Sequence, residues 1–268
     1  MGTEILNIIV PFLVTYAVIV IIVAPLRVAG KWRMEAEPHF EEIDFETGHV
    51  PDAVLRYVEQ SAQQLIPLGF KYVGSVVNSH PRMKAIGYVA IFVNERARDV
   101  ATPATIIVEP IPGKRRTVHV MEYTTDFEND TCLSTGNMNA PGMGPQPAWK
   151  EMYRFPGMSD MQHLYRIHRE LTLMRGPAVK KIFPIGRIAE EIRRDAKREC
   201  ESFVQTGYAR LDDSGEFYRL TMKGMFLTTW KQAWPIKPII MSAKRRRARR
   251  ILRNLDLRKD RLPVEPPR

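Results

Sequence analysis

The chain has 268 residues, 44% of them hydrophobic and 26% charged, which is ordinary globular composition with no long repeat. Its two cysteines, Cys132 and Cys200, form no recognisable disulfide framework. The formal net charge of +10 is uneven: residues 244–261 carry ten basic residues against Asp256 and Asp260, so the rest of the chain is close to neutral.

Residues 5–26, opening on Ile5 and closing on Leu26, contain no ionisable acid or base and are mostly Ile, Val, Leu and Phe. As a helix they would be roughly 33 Å long against a hydrocarbon core of about 30 Å, which predicts one N-terminal transmembrane helix and an anchor over 1–26. The acidic start and the length of the run argue against a cleaved signal peptide. Arg27, Lys31 and Arg33 follow at once, and by the positive-inside rule they predict a single-pass protein of the cell (plasma or inner) membrane with its C-terminal domain cytoplasmic. Residues 27–50 read as an acidic juxtamembrane linker, since Glu35, Glu37, Glu41, Glu42, Asp44 and Glu46 occur together without a lysine or arginine among them.

Residues 51–221 read as an α+β domain with an antiparallel sheet of about five strands and three to four helices. A helical stripe of Val54, Leu55, Val58, Ala62, Leu65 and Ile66 predicts a helix over 51–66, stopped by Pro67 and Gly69. β-Branched and aromatic runs predict strands at 69–77, 85–94, 104–109, 117–125 and 131–135, with a tight turn at Pro112-Gly113. The proline- and glycine-rich stretch 137–149, with Met138 and Met143, reads as a loop. Ser159 and Gln162 then open a helix whose apolar stripe is Met161, Leu164, Tyr165, His168 and Leu171, closed by Arg175-Gly176-Pro177. His163 and His168 are five apart, the wrong spacing for a helical metal pair, and His168 reads as a packed core histidine. A further stripe, Ile188, Ile192, Ala196, Cys200, Phe203 and Val204, predicts a long helix with Cys200 as a buried small hydrophobe.

Residues 207–221 read as a hairpin turning at Asp213-Ser214-Gly215. Tyr218, Leu220, Thr221, Lys223 and Gly224 follow a Tyr-x-Leu-Thr-x-Lys-Gly order that resembles the wing of winged-helix regulators. The resemblance covers under a tenth of the chain and implies nucleic-acid binding; the uninterrupted helix before the hairpin departs from the family's compact helix-turn-helix.

Residues 222–268 read as a Trp-bearing amphipathic segment followed by a polybasic C-terminal helix. Trp230 and Trp234 lie among lysines, and Lys244, Arg245, Arg246, Arg247, Arg249 and Arg250 precede Ile251, Leu252, Leu255 and Leu257 at helical spacing. These eight Trp and basic residues are the expected contacts to a membrane or another anionic partner: the lipid bilayer through residues 5–26, anionic headgroups through the tail, or nucleic acid. Metalloprotease, nucleophile-elbow, phosphate-loop and dinucleotide motifs are all missing from the sequence, so it calls for no cofactor and favours a binding or interaction module over an enzyme.

Overall fold

A computed structural model describes residues 2–80, 84–111, 113–142, 144–176 and 178–259. In chain order the elements are α1 (Gly2–Val18), a π-helical turn (Ile19–Val23), α2 (Ala24–Lys31), β1 (Arg33–Glu35), β2 (Glu41–Glu42) and α3 (Asp52–Leu65). The sheet strands follow: β3 (Lys71–His80), β4 (Ala85–Asn94), β5 (Asp99–Ile111), β6 (Lys114–Asp126), β7 (Cys132–Gly136) and β8 (Lys150–Arg154). Then come α4 (Met161–Met174), α5 (Ile188–Gln205), β9 (Ala209–Leu211), β10 (Phe217–Leu220), α6 (Met222–Gln232) and α7 (Ile236–Lys259). The parts of the expected turn, loop, helix stop and tail that fall on Pro112, Met143, Pro177 and residues beyond 259 lie outside the described residues.

The chain divides into two compact units: Met1–His39 with Pro141–Pro145 and Arg193–Ile240, and Phe40–Ala140 with Gln146–Ile192 and Met241–Arg268. The larger unit is built on a seven-stranded sheet in the order β2-β3-β4-β5-β6-β7-β8, antiparallel except for the parallel pair β7 and β8. Alternation along β4 divides its apolar residues between the two faces. Tyr88, Ala90 and Phe92 join the main core with Val54 and Leu65 of α3 and Leu164, Ile167 and Leu171 of α4. Ile91 and Val93 join a smaller cluster with Val76, Val100 and Ile188. In the other unit, β1, β10 and β9 form a three-stranded antiparallel sheet. Trp32, Cys200, Phe203, Tyr208, Tyr218 and Met225 make its core. Cys200 is fully buried, and burial pushes its thiol up to about 12.

The fold is therefore α+β, but the sequence-based expectation of one transmembrane helix and about five strands is corrected in two respects. The five expected strands are β3 to β7, and β2 and β8 extend that sheet to seven while β1, β9 and β10 form a second one. Among the described residues, no helix is long and apolar enough to cross a membrane. Within the run at 5–26, α1 has 17 residues and includes Pro11, about 25 Å of α-helix against the roughly 30 Å needed, and a π-helical turn stands between it and α2. α2 then packs against α6. The single-pass anchor, the membrane localisation and the cytoplasmic placement read from Arg27, Lys31 and Arg33 rested on that helix and lose their basis. Ile9, Phe12 and Val14 of α1 are exposed.

The expected cap of α4 shifts by one residue. Asp160, not Ser159, is the N-cap, its carboxylate accepting from the His163 backbone N–H at 2.8 Å.

Candidate functional site

Within the larger unit, α7 combines a buried stripe with a basic face. Ala248 and Leu255 are 7% and 4% exposed in the main core, and Ile251 and Leu252 pack against it. Lys244 Nζ donates to the Ala140 carbonyl at 3.1 Å, and the Arg247 guanidinium lies 5.8 Å from the Tyr153 ring centroid. With a helical period of about 100° per residue, Arg246, Arg250 and Arg253 fall opposite Ala248 and Arg249 lies about 100° from it, and all four are exposed, as is Arg245 on the flank. Among the described residues no carboxylate pairs with these four arginines.

Trp230 and Trp234 are 52% and 72% exposed. They belong to the smaller unit, where the Tyr16 hydroxyl donates to the Trp234 carbonyl, whereas Lys244, Arg245, Arg246, Arg247, Arg249 and Arg250 belong to the larger one. Sequence reasoning missed Arg253; the i, i+4, i+7 spacing of Arg246, Arg250 and Arg253 was the available signal.

A second polar constellation, of which the sequence reading named only Tyr165 and His168 as parts of an apolar helical stripe, sits where strand ends of the seven-stranded sheet meet α4. Asp99, the first residue of β5, is fully buried. Its Oδ1 accepts from Lys180 Nζ at 2.7 Å and from the Thr125 hydroxyl at 2.6 Å; its Oδ2 accepts from the Tyr165 hydroxyl at 3.0 Å and from Arg169 Nη1 at 3.2 Å. Thr125 has one hydroxyl proton and gives it to Asp99, so at 2.9 Å its oxygen accepts from His168 Nε2–H. His168 Nδ1 then accepts from the Thr135 hydroxyl at 3.0 Å. Thr135, His168 and Thr125 thus donate in one direction toward the carboxylate, an arrangement in which each bond polarises the next.

Burial alone would raise the Asp99 carboxyl, but His168, Lys180 and Thr125 together hold it below the usual carboxylate range. Burial pushes the His168 imidazole down to about 4 against the pull of Asp99, so the ring is neutral at pH 7, as its hydrogen bonds require. A buried Asp, Thr and His in line superficially suggests nucleophilic catalysis. Yet Thr135, His168 and Thr125 are all 0% exposed, so no substrate reaches a hydroxyl here; the chain of bonds fixes Asp99, and Asp99 fixes Arg169 and Lys180. Among the described residues no group of three His, Cys, Asp or Glu side chains is placed to hold a metal ion.

No protein-family model, curated protein or solved structure matches this chain.

Proposed function

We propose that this chain is a binding module that docks a nucleic acid on the arginine face of α7. The observation that carries the reading is the set Arg246, Arg249, Arg250 and Arg253: four exposed guanidinium groups without acidic partners among the described residues, on a helix whose other side is anchored in a core. A free basic tail must order itself on binding, whereas a packed helix presents its charges already spaced, about 10 Å from Arg246 to Arg253. Phosphates of a nucleic-acid backbone take up such charges with release of counterions. The β9–β10 hairpin in the smaller unit lies where the wing-like sequence motif falls, which favours nucleic acid as the polyanion, although α5 ahead of it is one uninterrupted helix. The anionic-lipid reading of the same arginines drew support from the expected anchor, and among the described residues no helix is long and apolar enough to cross a membrane.

Fluorescence anisotropy with labelled duplex and single-stranded oligonucleotides tests this on the full chain. The unmodified chain is expected to bind at low salt, and a variant with Arg246, Arg249, Arg250 and Arg253 all changed to Glu is expected to lose most of that binding. Equal binding by both, or binding to vesicles of anionic lipid with none to nucleic acid, overturns the reading.

A further inference from the structure

Beside the C-terminal end of α4, in the larger unit, lies a cavity of about 400 Å³ whose described lining is apolar on one side, with Phe127, Leu173 and Ala178, and cationic on the other, with Arg169 and Lys180 next to Thr172. We infer that this cavity binds a small organic monoanion, a carboxylate held by Arg169 and Lys180 with an apolar body lying on Phe127, Leu173 and Ala178.

The charge balance makes the case first. Asp99 offers one negative charge to two cations, and it meets them from the buried side: its side chain is 0% exposed, whereas those of Arg169 and Lys180 are 36% and 17% exposed. Arg169 uses Nη1 on Asp99, and a guanidinium has five N–H donors, so most of its fork is left for the cavity. Lys180 commits two of its three protons, to Asp99 Oδ1 and to the Ala97 carbonyl at 2.8 Å. Two further arginines add positive potential near the lining. Arg175 lies 4.2 Å from the Phe127 ring centroid, with Nη1 buried and without a hydrogen-bond partner among the described residues, and Arg98 Nη1 donates to the Lys180 carbonyl.

Rigidity comes next. Asp99 is held by four donors, one of them ordered in turn by His168 and Thr135, so the two cations are placed before any ligand arrives. Preorganised charges cost little to engage, whereas exposed surface lysines must first be ordered.

The class of anion follows from the walls. The volume falls within the usual range for small-molecule sites, roughly 300–1,000 Å³, and an apolar lining with few convergent polar groups is the common pattern. A doubly charged phosphate is disfavoured, because the cavity borders the last turn of α4, whose carbonyl end carries about half a negative charge. A monoanion with an aliphatic or aromatic body satisfies both ends.

Isothermal titration of the full chain at pH 7.5 with benzoate and octanoate, alongside benzyl alcohol, octanol and inorganic phosphate, tests the assignment. Carboxylates are expected to bind and the neutral alcohols and phosphate to bind at least about tenfold more weakly, the effect of losing a charge-assisted contact. Arg169→Gln is expected to weaken carboxylate binding by about tenfold or more. Leu173→Trp, at a position 65% exposed, keeps every charge, fills the cavity and should abolish binding without unfolding the chain. Carboxylate and alcohol binding equally, no carboxylate binding at millimolar concentration, phosphate binding best, or full affinity in a folded Leu173→Trp variant each overturns the inference.

Discussion

His168 shows how one buried side chain sets a solution property of the protein. Its folded value of about 4 lies below the ordinary 6.5, so between those limits the unfolded chain binds a proton that the folded chain refuses. The stability it supports is full above pH 6.5 and drains away as the pH falls through 4, with the folding constant changing up to tenfold per pH unit within the window. Urea titrations from pH 7 to pH 4 should show this slope in the unmodified chain and a flatter one in His168→Gln, even though that variant is less stable at pH 7. Glu122 is a separate acid-sensitive group. Burial would raise it, but Lys150 at 2.8 Å and the Ser134 hydroxyl hold it at about 2, so its contribution is lost only as pH falls from 4.5 through 2 and remains in the His168 variant. Gly224 decides between two opposing effects. Helix propensity alone would favour Ala by about 1 kcal/mol, but a Cβ there would come 2.0 Å from the Tyr208 carbonyl oxygen, closer than any real contact. Gly224→Ala is therefore expected to destabilise the smaller unit by about 1–3 kcal/mol in chemical denaturation.

Elements with a strong period were legible in the sequence, and those decided by tertiary partners were not. The helices at 51–66 and 188–204 and the five central strands follow from their apolar stripes and alternation, and they are α3, α5 and β3 to β7. The β-branched run at 104–109 covers only part of β5. The structure starts it at Asp99, with Val89 of β4 paired to Ala104, Phe92 to Ala101, and Pro103 opposite Met121 of β6. That truncation hid Asp99, and with it the centre that Thr125, Tyr165, Arg169 and Lys180 build from distant parts of the chain. The Tyr-x-Leu-Thr-x-Lys-Gly order has a local explanation as well: Thr221 is the N-cap of α6, accepting from the Gly224 N–H at 3.2 Å. For α7 the sequence showed charge but not what its apolar positions meet. Leu255 is 4% exposed in the main core, so Leu255→Ala should cost about 2–5 kcal/mol, where the same change in an unpacked tail would cost almost nothing. A thermal melt or urea titration of that variant separates the two.

For the whole molecule, the two compact units differ in sheet and in charge. The larger unit has the seven-stranded sheet, the Asp99 centre and the basic stretch of α7; the smaller has the three-stranded sheet, the two exposed tryptophans and the N-terminal helices. Most of the formal +10 lies in the C-terminal stretch, so the proposed binding through charge rests on the exposed arginines of α7. The direct measurement is the salt dependence of oligonucleotide affinity between about 50 and 200 mM for the full chain and for the variant with Arg246, Arg249, Arg250 and Arg253 changed to Glu. Four phosphate contacts predict that the logarithm of the binding constant falls with the logarithm of salt with a slope of about −3 to −4, lost in the variant. A slope that is the same in both chains, or no binding by the unmodified chain at the lowest salt, contradicts the account.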